Sequence, residues 1–404
     1  MEDFPSAQDV MALAPTSTYG DELDRRGQAL HLSSVLPAVS AALGAPVPTA
    51  VHTRPKALQA ALGLPDASSA IVVLVDGLGY WNLQHRLGHA PYLRSLVNDP
   101  ANARPIATCL PSTTTAAMGV FGTGTCPGLT GMAGYTQLNV DTGSLGQLIQ
   151  FRDAPEPEDL QRQPTIFERL NEQGLRVTSS GLPKFAASGL TRAALRGTHY
   201  LGNKDPKARI LAAARSAREP GLTYLYIRDV DKVGHALGWE GEDWAATLER
   251  VDDQLALLHR SAPKGTLVVI VADHGMVSAD PACRFDLGQV PALQEGVKLV
   301  GGEPRQVMLY LDDEAELSSV AQRWQDVLGQ HALVRTREQA ISQGMFGPVE
   351  ERVKPVIGDI LVSALGAATI VDSRSQSEQA MHLPGVHGSQ TYLETDIPCL
   401  IDLI

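Results

Sequence analysis

Three apolar runs along the chain are each followed by an acidic residue. The runs cover residues 71–75, 223–227 and 267–271, and the acids that follow them are Asp76, Asp231 and Asp273. A continuous apolar run is typical of a strand buried on both faces of a parallel sheet. Helical patterns lie between the runs, at residues 165–173 and 244–259. This alternation predicts an α/β fold with a mainly parallel central sheet, helices on both of its faces, and ligand-binding groups at the carboxyl ends of the strands.

Outside these strands the pattern changes twice. Residues 1–45 show no strong periodicity of hydrophobic positions and lead into a run of small residues and proline. This pattern predicts an N-terminal arm. An apolar run at residues 307–311 resembles an isolated strand and is followed by an amphipathic helical pattern and by turns near Gly344 and Gly347. The expected division is a core of residues 46–280 and 382–404, with a smaller α+β cap inserted at residues 281–381.

The composition limits the partners and the location that we expect. Of the 404 residues 44% are hydrophobic, which is enough for a large core. The 33 basic and 45 acidic residues give a net charge of -12 without a basic stripe, so we expect no stable nucleic-acid binding. No stretch approaches the roughly 20 apolar residues of a membrane helix, and the first residues lack a signal-peptide pattern. We therefore expect a cytoplasmic protein without a membrane span. The 4 cysteines form no Cys-x-x-Cys pair and are expected to be free thiols.

Aspartate and histidine recur after the predicted strands, where metal ligands could meet. Asp231 and His235 are four residues apart, so a helix would place both on one face. Asp229 competes with Asp231, but only Asp231 stands one helical turn before His235. Singly, such residues are more often caps or structural groups. Together they suit two divalent metal ions about 4 Å apart, and their oxygen and nitrogen atoms favour Zn²⁺. The candidate ligands are Asp76, Asp231, His235, Asp273, His274 and His387.

A cluster of hydroxyl residues supplies candidate nucleophiles. Residues 108–118 read Thr-Cys-Leu-Pro-Ser-Thr-Thr-Thr-Ala-Ala-Met. Hydroxyl groups after a proline and before small residues suit the first turn of a helix, whose free N–H groups can hold an anion. An ordinary helix cap is the alternative. A hydroxyl is a poor nucleophile near neutral pH, so a catalytic role would require activation by the metals.

Five motifs occur in a fixed order along the chain. They are Asp76-Gly77, Pro111-Ser112-Thr113-Thr114, Asp231-Lys232-Val233-Gly234-His235, Asp273-His274-Gly275-Met276 and His387-Gly388. This order resembles the nucleotide pyrophosphatase/phosphodiesterase branch of the alkaline phosphatase superfamily, and the motifs span most of the chain. The resemblance implies an alkaline phosphatase-like fold around a metal-binding catalytic core. It also implies one metal held by Asp76, Thr114, Asp273 and His274, and a second held by Asp231, His235 and His387.

The family register selects one threonine as the nucleophile. Thr114 is the third residue after Pro111, as in the family, while Thr113 and Thr115 stay open as alternatives. A sulfatase would resemble Cys-x-Pro-x-Arg, and this chain has Thr113 in the place of the arginine, so we reject that function.

One departure concerns the phosphoryl oxygens. The family often follows its threonine with Pro-Asn-His, whose asparagine helps to hold a phosphoryl oxygen, whereas this chain has Ala116-Ala117-Met118. The metals and backbone N–H groups would then stabilise the oxyanion. Asn203 and Lys204 could contribute, although their segment is more simply a turn.

The function implied by the resemblance is a two-metal hydrolase acting on small phosphorylated substrates such as a nucleotide or a phosphodiester. Thr114 would displace the leaving group to give a phosphothreonine, and water would hydrolyse that intermediate, with overall retention at phosphorus. The alternatives are a phosphomonoesterase or phosphonate hydrolase, and a catalytically silent metal-binding sensor or scaffold. The leaving group, the oligomeric state and the native metal leave no readable signature in the sequence.

Overall fold

The computed structural model describes residues 5–16, 19–20, 30–312 and 317–404. Its strands, in chain order, are β1 (Ser69–Val75), β2 (Ile106–Ala107), β3 (Thr136–Asn139), β4 (Ser144–Gln147), β5 (Arg176–Gly181), β6 (His199–Gly202), β7 (Gly221–Ile227), β8 (Leu267–Val271), β9 (Val277–Ser278), β10 (Arg284–Asp286), β11 (Val297–Glu303), β12 (Gln306–Leu311), β13 (Ala332–Thr336), β14 (Ile360–Ala364), β15 (Thr369–Val371), β16 (Gly385–Val386), β17 (Asp396–Ile397) and β18 (Cys399–Leu403). Its α-helices are α1 (Ala7–Val10), α2 (Leu32–Ala42), α3 (Pro55–Leu62), α4 (Tyr80–His85), α5 (Pro91–Val97), α6 (Thr114–Thr123), α7 (Pro127–Thr130), α8 (Pro157–Leu160), α9 (Ile166–Glu172), α10 (Gly189–Ala194), α11 (Pro206–Ser216), α12 (Asp229–Leu237), α13 (Glu242–Ser261), α14 (Leu317–Leu328), α15 (Arg337–Ser342), α16 (Glu378–Met381) and α17 (Tyr392–Thr395).

The central sheet has six strands in the order β18-β8-β1-β7-β5-β6. The pairs from β8 to β6 are all parallel, and β18 runs antiparallel along β8 at one edge. Every side chain of β1 and β8 is buried, as their uninterrupted aliphatic sequences predict. The predicted α/β class with a mainly parallel sheet is therefore confirmed, and helices α9 and α13 lie where the sequence pattern places them.

The three strands that precede the acidic motifs are direct neighbours in this sheet. Val75 of β1 is in register with Ile227 of β7, and Leu74 is in register with Val271 of β8. The N–H of Asp76 continues the ladder by donating to the carbonyl of Ile227 at 2.9 Å. Because parallel strands end at the same edge, the segments that follow them converge on one region above the sheet.

A second, antiparallel sheet lies in the segment expected to be a cap. Its order is β11-β12-β14-β13, so the predicted strand at 307–311 is not isolated but sits between two partners. That sequence prediction was wrong: β11 contains two glycines and charged residues that obscure a strand pattern, and β14 pairs with β12 across about fifty residues of chain, which no local pattern indicates. Trp324 of α14 is buried against this sheet among aliphatic residues.

The predicted arm contains a helix that the sequence pattern does not reveal. All residues of α2 are buried, and they belong to the same apolar cluster as β1. A helix that is apolar on every side lacks the one-sided period by which helices are recognised. The division into arm, core and cap stays a prediction. Within the described ranges, no helix combines the length and the apolar character needed to cross a bilayer.

Candidate active site

The first group of the site lies in the loop that follows β1. Asp76 is buried, and the next residue, Gly77, has a left-handed φ of 72°. A Cβ at position 77 would lie 2.8 Å from the Cβ of Asp231, so only glycine lets the two loops approach this closely. The N–H of Gly77 donates to Oδ1 of Asp273 at 3.0 Å. This glycine therefore brings three carboxylates from three neighbouring strands together.

Helix α12 carries the predicted Asp231 and His235 pair. The helix begins directly after β7, and its turn places Nε2 of His235 3.3 Å from Oδ1 of Asp231. The Nδ1 proton of His235 is donated to the carbonyl of Gly385 at 2.8 Å. Asp231, and not the competing Asp229, belongs to the groups of side chains with converging ligand atoms in the described part of the chain.

The motif after β8 adds a fully buried carboxylate and imidazole. His274 donates its Nδ1 proton to the carbonyl of Gly275 at 2.9 Å. Its Nε2 then points towards two carboxylates, at 3.6 Å from Oδ1 of Asp76 and 3.5 Å from Oδ2 of Asp273. The strand end therefore orients the ring so that its unprotonated nitrogen faces the acidic cluster.

His387 reaches the same region from near the end of the chain. Its Nδ1 proton is donated to the carbonyl of Ser112 at 2.9 Å, and its Nε2 lies 3.2 Å from Nε2 of His235. Its ring stacks on the ring of His274, with the centroids 3.6 Å apart. The N–H of Ser112 also donates to the carbonyl of Gly388 at 3.1 Å, which ties the hydroxyl-rich segment to this histidine.

The hydroxyl of Thr114 faces this cluster from the first residue of α6. Its Oγ1 lies 3.1 Å from Nε2 of His274 and 3.5 Å from Oδ1 of Asp76. Thr115 instead donates to the carbonyl of Gly134 at 2.8 Å. The structure thus brings the seven predicted side chains together and gives Thr114, rather than Thr115, the position beside them; their roles as ligands and nucleophile stay predictions.

Burial without a cation perturbs the protonation of these groups. Burial raises the pKa of Asp231 to about 6 and that of Asp273 to about 7, and it also raises the pKa of Asp76 with the help of the neighbouring Asp273 charge. Burial lowers the pKa of His274 to about 4 and also lowers that of His387. Added positive charge would therefore favour the ionised form of the three carboxyl groups, whereas it would keep the two histidines neutral.

The donor set fits divalent metal ions. Two groups of side chains each have ligand atoms that lie within 4.8 Å of one another. The first group is Asp231, His235 and His387, and the second is Asp76, Asp231 and His274. Asp231 therefore belongs to both groups. All three histidines donate Nδ1 to carbonyls, which leaves their Nε2 lone pairs free for coordination. Oδ1 of Asp231 and Oδ2 of Asp273 are buried without a hydrogen-bond partner among the described residues. Such atoms require a positive partner.

Sequence reasoning missed two supporting residues beside the site. The Tyr226 hydroxyl donates to Oδ2 of Asp76, and the positive charge of Arg228 acts on both Asp76 and Asp231. Tyr226 lies in an apolar strand and belongs to no motif. The only feature of the sequence that could have indicated its role is its position one residue before the end of β7. Asn203 and Lys204 offer their backbone carbonyls to Arg209, as expected for a turn.

Known proteins resemble this chain both in sequence and in fold. The family model described as type I phosphodiesterase / nucleotide pyrophosphatase matches residues 70–390. The phosphopentomutase of Rhizobium leguminosarum bv. trifolii (strain WSM2304) is 34% identical over 125 residues, which are 30% of this chain and 29% of that protein. The phosphopentomutase of Caldanaerobacter subterraneus subsp. tengcongensis is 28% identical over 133 residues, 32% of each. The match thus spans about a third of the length of these relatives.

Solved structures share the fold at low sequence identity. Murine ectonucleotide pyrophosphatase / phosphodiesterase 5 has a TM-score of 0.65 at 15% identity, covering 82% of this chain and 87% of its own. Phosphonoacetate hydrolase from Sinorhizobium meliloti, in complex with phosphonoformate, has a TM-score of 0.65 at 20% identity, covering 83% of this chain and 90% of its own. A complex of the murine protein with AMP has a TM-score of 0.64. These likenesses show the fold of the chain.

Proposed function

Because the chain belongs to the type I phosphodiesterase / nucleotide pyrophosphatase family, we propose that it is a two-metal hydrolase that cleaves phosphodiester or phosphoanhydride bonds of small substrates. The family and the structural neighbours indicate an enzyme of phosphoryl transfer. The observation that carries the finer proposal is the Thr114 hydroxyl, 3.1 Å from Nε2 of His274 at the edge of the acidic cluster. A hydroxyl at this position lies beside an imidazole nitrogen and carboxylates that would hold the activating metal.

The proposed chemistry divides between the metals and the chain. Two divalent cations held by the six Asp and His side chains and Thr114 would lower the pKa of the hydroxyl and balance the charge of the phosphoryl group and the departing oxygen. Thr114 loses its hydroxyl proton to solvent as Oγ1 forms a bond to phosphorus, the bond to the leaving group breaks, and the leaving oxygen takes a proton from solvent. Water then attacks the phosphothreonine from the opposite side, which releases the phosphorylated product and restores the hydroxyl.

The N-terminus of α6 supports this proposal because it offers donors to the phosphoryl oxygens. Thr114 is the first residue of the helix, and the first bond within the helix runs from the N–H of Ala117 to the carbonyl of Thr113 at 2.9 Å. The N–H groups of residues 114–116 precede that bond and have no acceptor inside the helix. They can bind an anion and so replace the asparagine that the family often has.

A matched pair of proteins tests the function. Hydrolysis of bis(4-nitrophenyl) phosphate is measured for the wild type and for Thr114→Ala, with bound metal quantified in both samples. We expect an active wild type and a variant that keeps about two metals but loses about 10³-fold or more in kcat. If the variant keeps its activity, a group other than Thr114 is the nucleophile. If the wild type binds metal but has no activity, the alternative of a silent sensor or scaffold is favoured.

The same ligand set also suits a phosphomonoesterase or a phosphonate hydrolase, and the phosphonoacetate hydrolase neighbour favours keeping the latter as an alternative. The phosphopentomutase relatives add phosphoryl transfer within a sugar phosphate to the range of related reactions. A panel of 4-nitrophenyl phosphodiester, phosphomonoester and phosphonate substrates separates the hydrolases. If the phosphodiester is hydrolysed far more slowly than both the phosphomonoester and the phosphonate, the proposal that the enzyme cleaves phosphodiester bonds is overturned.

A further inference from the structure

The segment after β5 brings a cation and an aromatic ring to the edge of the candidate site. Strand β5 pairs in parallel with β7, so both strands end at the edge of the sheet where the acidic motifs lie. The carbonyl of Leu182, just beyond β5, accepts from the Tyr200 hydroxyl at 2.8 Å and from the N–H of Phe185 at 3.0 Å. The turn that presents Lys184 and Phe185 is therefore anchored to the sheet.

Phe185 is separated from Asp76 by one aromatic side chain. Its ring packs edge-on against the ring of Tyr226, with the centroids 5.9 Å apart and the planes at 67°. The Tyr226 hydroxyl donates to Oδ2 of Asp76, which belongs to one of the two groups of converging ligand atoms. Phe185 itself is half-buried. The ring is thus fixed beside the candidate metal position, and part of it stays accessible to solvent.

Two cationic side chains lie against the Phe185 ring. Nζ of Lys184 is 4.9 Å from the ring centroid, and Cζ of Arg228 is 6.0 Å from it. Arg228 is the residue that joins β7 to α12, the helix that carries Asp231 and His235. Both distances are those of a cation–π contact, which holds a cation over a ring without neutralising its charge. The two positive charges therefore meet at one ring beside the site.

Neither of these cations forms an ion pair with an acidic residue in the part of the chain that the structure describes. Lys184 is exposed and Arg228 is half-buried. By contrast, Arg176, Arg192 and Arg196 of the same stretch of chain each form an ion pair with a glutamate. Acidic residues are not scarce, since the net charge of the chain is -12. Two such cations at the edge of a candidate site can bind an anion from solution.

The positive charge of Arg228 also acts on the candidate ligands. Burial raises the pKa of Asp76 and that of Asp231, and the charge of Arg228 opposes this rise in both. Support of these carboxylates alone would not require a second cation, yet Lys184 lies on the same aromatic ring. The pairing of the two cations is therefore better explained by a ligand that needs both.

We propose that Lys184 and Arg228 form a subsite for a second anionic group of the substrate, a carboxylate or a further phosphoryl group, beside the phosphoryl group that Thr114 would attack. The Arg228 guanidinium offers paired N–H donors that match either anion, and the Lys184 ammonium adds a point charge. The inference rests on the proposed function, because it assumes a phosphoryl group at the metal site. It narrows the substrate class to esters or anhydrides that carry another negative charge.

Calorimetric binding to the Zn²⁺-loaded protein tests this subsite without requiring turnover. The probes are phosphonoacetate, 3-phosphonopropionate and 4-phosphonobutyrate, which vary the distance between the two anions. Each is compared with the alkylphosphonate that lacks the carboxylate, namely methyl-, ethyl- or propylphosphonate. Propane-1,3-diphosphonate, compared with propylphosphonate, replaces the carboxylate by a second phosphonate. The wild type should bind at least one doubly anionic probe about 30-fold more tightly than its match, from about 10-fold for the arginine and about 3-fold for the lysine.

Variants that remove each charge identify the groups responsible. The preference for the doubly anionic probe should fall about 10-fold in Arg228→Gln and about 3-fold in Lys184→Gln, and it should vanish in the double variant. Arg228→Lys should keep part of the preference, because a positive charge stays in place. Arg260→Gln, at an exposed arginine near the end of α13, is the matched control and should keep all of it.

The preference separates this role from a structural one. It is a ratio of two affinities measured on the same protein, so a loss of metal or of stability weakens both probes and leaves the ratio unchanged. Chelation of metal by the probes in solution is the same for every variant. Metal content is measured in each sample to confirm that the site is loaded.

The result also distinguishes the subsite from the proposed function. A wild type that binds no doubly anionic probe more tightly than its match would overturn the subsite, and so would a preference that survives in the double variant. A preference limited to the carboxylates or to the diphosphonate would support the subsite and identify its anion. If the wild type lacks turnover but its preference depends on Lys184 and Arg228, the proposed hydrolase is contradicted and the subsite is supported. An active wild type without the preference would overturn the subsite alone.

Discussion

Nε2 of His235 lies 3.2 Å from Nε2 of His387, although each ring already donates its Nδ1 proton to a backbone carbonyl. Two neutral rings in this arrangement direct lone pairs at each other, which is unfavourable without a cation between or beside them. Oδ1 of Asp231 lies 3.3 Å from the same nitrogen of His235. The three groups therefore form one candidate metal position, whose ligand atoms the fold already directs towards one another.

Removing one of these rings should empty that position. We expect His387→Ala to reduce the bound metal from about two to about one per chain and to lower kcat/KM by more than about 100-fold. Metal analysis by mass spectrometry of dialysed protein checks the prediction. His382→Ala, at an exposed histidine nearby in sequence, is the control and should keep both metals. An unchanged metal content in His387→Ala would refute the assignment.

The position of Thr114 predicts a covalent intermediate. Rapid quenching in acid during turnover should yield a peptide phosphorylated at Thr114, and a chiral phosphorus substrate should retain its configuration after two displacements. Thr115→Ala should still form this intermediate but lose about 1 kcal/mol of stability with its hydrogen bond to Gly134. Inversion at phosphorus would exclude the two-step route.

Tyr226 should tune the site without binding a metal itself. Its hydroxyl donates to Oδ2 of Asp76, so Tyr226→Phe removes support from a candidate ligand and should weaken metal binding about 10- to 100-fold. Competition with a chelator of known affinity measures this change. Tyr92→Phe removes a similar tyrosine bond, to Asp402, away from the seven predicted side chains and should leave metal affinity unaltered. Equal affinities in Tyr226→Phe and the wild type would contradict the supporting role.

The metal-free protein should lose stability as the pH rises from about 6.5 to 8. Burial raises the pKa of Asp273 to about 7 and that of Asp231 to about 6. The folded state therefore binds more protons than the unfolded state until these groups ionise. Their ionisation reduces the stability of the folded state as the pH rises. His274, whose pKa burial lowers to about 4, and His387, whose pKa burial also lowers, act in the opposite direction, but their contribution is complete about one pH unit above 6.5, the pKa of a free histidine. Asp76, whose pKa burial raises, continues to reduce stability above that pH.

Thermal unfolding midpoints of chelator-treated protein at about pH 6.5 and pH 8 check the predicted loss of stability with rising pH. Added Zn²⁺ should restore stability, and more strongly at pH 8, because metal binding replaces the protons. A midpoint that rises with pH in the chelated protein would show that the carboxylates are not held as close as the structure has them.

Removing one partner of the buried ion pair between Arg305 and Glu394 should destabilise the fold strongly. Both side chains are fully buried, and Glu394 also accepts from the N–H of Ser389 at 2.9 Å. Arg305→Met leaves an unpaired buried carboxylate and should cost about 3–5 kcal/mol of unfolding free energy. Denaturant unfolding measures the loss. Arg169→Met, which removes an exposed ion pair with Glu172, should cost about 1 kcal/mol or less.

The sequence by itself determined the elements whose signal is local. Apolar runs specified β1, β7 and β8, because strands in the middle of a parallel sheet are covered on both faces and need mainly apolar residues. The spacing of Asp231 and His235 specified a shared helix face, since four residues make about one turn. The order of the motifs identified the family before any contact was known.

Only the tertiary structure decided which distant groups meet. The contact of His387 with Ser112 joins residues 275 positions apart, and no local pattern encodes it. The sequence treated strand β12 as isolated and gave no role to Tyr226 or Arg228, because strand pairing and side-chain contacts arise when whole segments pack together. Local residue patterns fix the strands and helices, whereas the sheet order and the packing of whole segments fix the distances between their side chains, and chemistry depends on those distances.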